Sequence, residues 1–170
     1  MRLTSVEAIA MVHGMLIGGT FLLAFSGGLL ALHGLRSELL TTAGVQERIK
    51  QLKLGTSVMA LMAWATVLTG TWVILPWYRA ASPDSPKSKL LADPATRQWH
   101  EFADLWKTHL ALMSPLLATA AAALVLYYGR TLARDRSLRT IVLALLLAAF
   151  AVSSIAALIG ALVTRVAPVH

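Results

Sequence analysis

Residues 138–166 read LRTIVLALLLAAFAVSSIAALIGALVTRV, and no charge falls between Arg139 and Arg165. An α-helix rises 1.5 Å per residue, so about 20 apolar residues cross a hydrocarbon core of about 30 Å. This run is long enough to do so. Working outward, residues 6–32, 54–75 and 105–128 have the same character. They predict an all-α membrane protein with four transmembrane helices in an up-down bundle. Nothing separates a second domain, so residues 1–170 form one unit whose long outer connection is 76–104.

Composition agrees. Hydrophobic residues make up 57% of the 170 and charged ones 14%, against about 25% charged in soluble domains. Mean hydropathy is +0.69. The net charge of +7 resides mostly in the connections, where it serves topology and lipid headgroups and argues for no nucleic-acid partner. Without cysteine, disulfides, Fe–S clusters and covalent haem attachment are excluded. The first apolar run is too long for a signal-peptide core and is read as a retained membrane helix.

The connections carry their own signals. Thr41-Thr42-Ala43-Gly44 reads as a break, with helix resuming near Val45. Pro76 is expected to stop the second span. Ser82-Pro83-Asp84-Ser85-Pro86 is turn chemistry. Asp93-Pro94 reads as an N-cap followed by proline at the first helical position. Ser114-Pro115 predicts a kink in the third span, with a freed carbonyl that needs a partner.

Basic residues set the expected orientation. The first and third connections hold eight Lys/Arg and the opposite side seven, but Arg130, Arg134, Arg136 and Arg139 are packed into ten residues. The denser side is placed inside. Both termini and the long loop are then outside, periplasmic in a bacterial inner (plasma) membrane. Trp72, Trp77, Trp99 and Trp106 form an aromatic belt on that side.

Histidine supplies the candidate chemistry. His13 lies 19 residues before Leu32, and His109 lies 19 before Tyr128. Both rings are thus roughly 28 Å from the inner edge, at one depth on two parallel helices. Diagonal helices of a bundle are about 14 Å apart, which seats a metal between two imidazoles. Ionisable groups at such depths are costly and mark function. Interfacial histidines bonded to headgroups, backbone or water are the plain alternative.

Gly14 and Gly18 would let a flat ring approach the backbone, or would simply pack helices as a small-xxx-small pair. Phe102, Trp106, His109 and Met113 share one helical face and could wall a pocket or form an ordinary buried stripe. His100 falls on the opposite face from His109 and is expected at headgroup level, a lower-ranked substitute ligand. His33 has no partner at its depth, and His170 is terminal. A copper site at Met11-Val12-His13-Gly14-Met15 is disfavoured because His13 points away from both methionines. Glu101 and Asp104 read as surface pairs without a catalytic role.

With two histidines on two of four helices, the chain resembles small four-helix membrane b-type cytochromes. These include haem-bearing anchor subunits of respiratory complexes and, more distantly, the b561 group. The resemblance implies one haem b with His13 and His109 as axial ligands. It departs from b561 in lacking the second, inner histidine pair. The segments Thr69-Gly70-Thr71-Trp72, Pro76-Trp77-Tyr78-Arg79, Trp99-His100 and Lys107-Thr108-His109 read as a family signature with no function attached.

The expected function is therefore electron transfer by a subunit of a larger respiratory or photosynthetic complex, rather than a stand-alone enzyme. Expected partners are the lipid bilayer, other membrane subunits and a periplasmic c-type cytochrome or similar carrier. The alternatives are a haem-free assembly subunit and a quinone- or small-molecule-binding protein using the aromatic outer pocket.

Overall fold

The computed structural model describes residues 4–35 and 41–166, and among these every regular element is helical. Helix α1 spans Ser5–Gly34, α2 Thr42–Tyr78 and α7 Arg136–Val166. These three are long and apolar enough to cross a membrane, by length and composition. Between them lie α3 (Pro86–Ala92), α4 (Pro94–Leu105), α5 (Met113–Tyr128) and α6 (Thr131–Arg134). Large apolar side chains stay exposed along the long helices, including Leu23 at 77% and Leu158 at 65%. A surface of that kind suits lipid rather than water.

The ends are set by local chemistry. Thr4 and Glu7 form a reciprocal capping box at the start of α1. Thr41 caps α2 by accepting from the Gly44 amide at 3.1 Å. The expected break is thus an N-cap, and the helix begins at once rather than at Val45. Asp93 caps α4 with Pro94 behind it, as expected. Ser85 and Pro86 use the same device to start α3, where turn chemistry alone was expected.

Successive apolar helices pack on one another, α1 on α2, α2 on α5 and α5 on α7, and α1 also touches α7. Phe21, Leu52, Met59, Val125 and Leu146 fill the main core, and Phe25 stacks on Phe150 with centroids 4.3 Å apart. Helices α1 and α2 approach closely at Gly55, where an added Cβ would lie 3.1 Å from the Gly28 amide nitrogen and 3.2 Å from the Ala24 carbonyl oxygen. Glycine is required there because two backbones meet. A second, smaller core joins Tyr78, Leu90, Ala103, Ile159 and Val163 at the end carrying His13.

The third apolar run is not the single helix expected over residues 105–128. A π-turn at Trp106–Leu110 and a turn at 111–112 separate α4 from α5. Pro115 is the physical reason. It has no N–H for the Ala111 carbonyl, and its ring crowds that oxygen. Ser114 then reaches across to α7, donating to the Ala149 carbonyl at 2.9 Å and accepting from Ser153 Oγ at 2.6 Å. The kink thus carries a polar tie to the next helix. Pro76 does not end α2, which continues to Tyr78. A π-turn at Gly70–Ile74 immediately precedes it and loosens the turn that a proline ring would otherwise hit.

Candidate functional site

Three π-turns occur among the described residues, and all three are at one end of the molecule. They are Val12–Ile17 within α1, Gly70–Ile74 within α2, and Trp106–Leu110 after α4. The first contains His13 and the third contains His109. A π-turn inserts one residue into the helical repeat and swings a side chain out of register, and such turns collect at functional sites.

His13 is half-buried and points at α2. Its Nδ1 lies 2.6 Å from Thr69 Oγ1, and an added Cβ on Gly70 would lie 3.5 Å from its Cε1. The Thr69 hydroxyl donates back to the Ala65 carbonyl at 2.7 Å. With that single proton committed, Thr69 accepts from His13 Nδ1–H. In the neutral ring Nε2 then holds the free lone pair.

His109 reaches the same protonation pattern by a different route. Its Nδ1 donates to the Leu105 carbonyl at 3.3 Å, and its ring is exposed. Neither histidine has the other as a hydrogen-bonding or stacking partner among the described residues. The expected single face of Phe102, Trp106, His109 and Met113 is also divided. Trp106 packs into the small core, whereas Phe102 and Met113 are exposed. A π-turn followed by a turn changes the angular step, so equal spacing no longer means a common face. Phe102 still leans on Trp106, with centroids 5.8 Å apart and planes at 36°. Trp106 Nε1 is buried and has no acceptor among the described residues.

His100 is half-buried and has a partner within the protein. Its Nδ1 lies 2.6 Å from the Tyr78 hydroxyl, and the rings stack at 5.8 Å. Lys107 Nζ sits 6.0 Å from the Tyr78 ring centroid and within electrostatic reach of His13. Arg79 donates to Asp104 in an ion pair. That guanidinium holds the Asp104 carboxyl below the usual carboxylate range. The polar side chains of this end thus run from Thr69–His13 past Lys107 to Tyr78–His100 and Arg79–Asp104.

Thr69, Tyr78 and Lys107 were not expected as site residues. All three sit in the segments read as a family signature, and that was their only sequence signal. A Cβ added at Gly14 or Gly19 would meet nothing within 4 Å, and one at Gly18 only the His13 carbonyl at 3.8 Å. These glycines leave open flank beside His13 and do not pack the described helices. His33 is exposed at the opposite end, and His170 lies outside the described residues. No group of three or more His, Cys, Asp or Glu that could enclose a bare metal ion occurs among the described residues. A planar cofactor with two axial ligands is a different donor set. Comparison with protein-family models, curated proteins and solved structures finds no match for this chain.

Proposed function

We propose that this chain is a membrane electron-transfer subunit that holds one haem b at its histidine end through His13 and His109. In this reading the apolar segments cross the bilayer as an up-down four-helix bundle, with the π-turn and the turn at 106–112 completing the crossing of α5. Both termini face the periplasmic side of a bacterial inner membrane. The observation carrying the proposal is the hydrogen bonding of the two rings. Each imidazole commits Nδ1–H to an oxygen and leaves Nε2 open, the pattern of a neutral ligand oriented from behind. The π-turns that present them lie on separate helices.

The donor chemistry fits haem iron, which takes two neutral imidazoles. When bound, the group supplies one-electron redox chemistry. The protein's part is positional. Thr69 fixes the His13 ring, Gly14 and Gly19 leave space beside it, and the exposed His109 offers Nε2 to a group seated at the protein surface. Lys107 places a positive charge near the site, which favours the more electron-rich state of anything bound there. A partner subunit covering the glycine flank would complete the enclosure.

Optical spectra of the purified full chain test this. A Soret band after haem-replete expression, lost in both His13→Ala and His109→Ala, is the expected result. No band in the parent, or a band that survives both substitutions, overturns the assignment. A second reading rests on Trp106, whose buried Nε1 has no acceptor among the described residues. A quinone carbonyl would supply one. Extractable quinone that disappears in Trp106→Phe, with no Soret band, would favour this reading.

A further inference from the structure

At the end opposite the histidines, α2 and the turn after α5 line an open surface cavity of about 350 Å³. It is lined by Gln46, Ile49, Lys50, Lys53, Gly129 and Arg130. Its volume falls in the range of small-molecule sites, about 300–1,000 Å³. Three of the six lining residues are cations and none is an acid. Positions 46, 49, 50 and 53 form one face of α2 by helical spacing.

Among the described residues none of the three cations has an ion pair or a side-chain hydrogen bond. Nearby charges are already engaged. Glu47 accepts from Gln51, Asp135 caps the Leu138 amide, and Arg139 donates to the Leu132 and Ala133 carbonyls. Lys53 Nζ lies 3.8 Å from where a Gly129 Cβ would stand, yet donates to no α5 carbonyl. Gly129 has φ +43°, a conformation that glycine adopts without strain and that turns the chain so that Arg130 joins the lysines.

The position along the chain identifies the occupant. Lys53 immediately precedes the apolar run of α2, and Gly129 immediately follows that of α5. The cavity is thus level with the edge of both apolar segments, where phospholipid headgroups lie. Its wall is basic and it opens at the protein surface, which suits a phosphate headgroup at the edge of the bilayer.

We infer that this cavity binds a phosphate-bearing anion, the headgroup of an anionic phospholipid, through Lys50, Lys53 and Arg130. The test uses the delipidated full chain in zwitterionic detergent. Thermal stability is followed while phosphatidylglycerol, phosphatidylcholine or inorganic phosphate is titrated in, and native mass spectrometry counts retained lipid. Phosphatidylglycerol should stabilise at lower mole fraction than phosphatidylcholine and be retained as a discrete adduct. Lys53→Gln and Arg130→Gln should each weaken it about fivefold, and Arg134→Gln, which does not line the cavity, should not.

A full shift from inorganic phosphate alone, with no further gain from lipid, would keep the anion site but assign it to a soluble phosphate. Equal response to both lipids with phosphate inert overturns the proposal. So does a loss in Arg134→Gln equal to that in Lys53→Gln. The lipid comparison on the parent chain decides without any variant, and exposed Lys50→Gln repeats the test if Lys53→Gln fails to fold.

Discussion

The two ends of the molecule solve the same problem differently. At the arginine end the helices are regular, capped and closely packed, and glycine serves contact: Gly55 meets the backbone of Gly28. At the histidine end three helices carry π-turns, and Gly14 and Gly19 meet open space. Polar side chains there find partners on other helices, as His13 does with Thr69 and His100 with Tyr78. At the arginine end three cavity cations find none among the described residues. One end has reshaped its backbone around polar groups. The other keeps ideal helices and leaves its charge for something outside the chain.

The contrast can be broken most forcefully at the glycines. Gly55→Val should destabilise by about 1–3 kcal/mol, because a branched side chain would press on backbone that cannot yield as a flexible side chain would. Gly14→Val should stay within about 0.5 kcal/mol in the isolated chain. Thermal or SDS-induced unfolding in detergent checks both. Equal losses would mean that the histidine end is as tightly packed as the other.

Smaller effects sharpen the polar side of the comparison. Ser114→Ala removes the tie to Ala149 and Ser153, and should cost about 1 kcal/mol in the same assay. Thr69→Val deletes the acceptor of His13 Nδ1–H and should cost about as much. Its diagnostic effect is on the ring. Nitrogen NMR of labelled histidine should show His13 shifting from one defined tautomer towards a mixture, with His109 unchanged.

The smallest effect concerns Arg79–Asp104. Both side chains are about 40% exposed, so solvent screening holds the pair below about 1 kcal/mol. The folded-state pKa of Asp104 is depressed, chiefly by the hydrogen bond from Arg79. Its contribution is therefore complete above the unfolded value of about 3.9 and is lost as pH falls through the lower folded value. Parent and Asp104→Asn should differ by a constant small amount above about pH 5 and converge in stronger acid. A difference that grew on acidification would contradict the ion pair.

Long apolar periodicity made α1, α2 and α7 legible, because a helix long enough to span lipid needs no tertiary information to be recognised. Asp93 was legible as a cap for the same local reason, whereas Thr41 was read as part of a break and proved to be an N-cap. The Asp-Pro signature that marked α4 recurs as Ser85-Pro86 and marked α3 too, although the prolines around it suggested only a turn. The site was harder to read. Equal spacing of His13 and His109 from their inner span ends assumed unbroken α-helices, and both residues sit in π-turns. The four-residue face from Phe102 to Met113 assumed the same and was split between the small core and the surface.

The sequence by itself determined that this chain is helical, lipid-facing and charged at its connections, because length and composition set those properties residue by residue. It also marked Ser114-Pro115 as a kink, since proline lacks the required N–H wherever it stands. Only the tertiary structure decided that Ser114 ties to α7, that His13 turns towards Thr69, that Tyr78 meets His100 across 22 positions, and that Lys50, Lys53 and Arg130 share one cavity. Those pairings depend on how helices rotate about their axes. A single inserted residue in a π-turn changes that rotation without leaving a trace in composition.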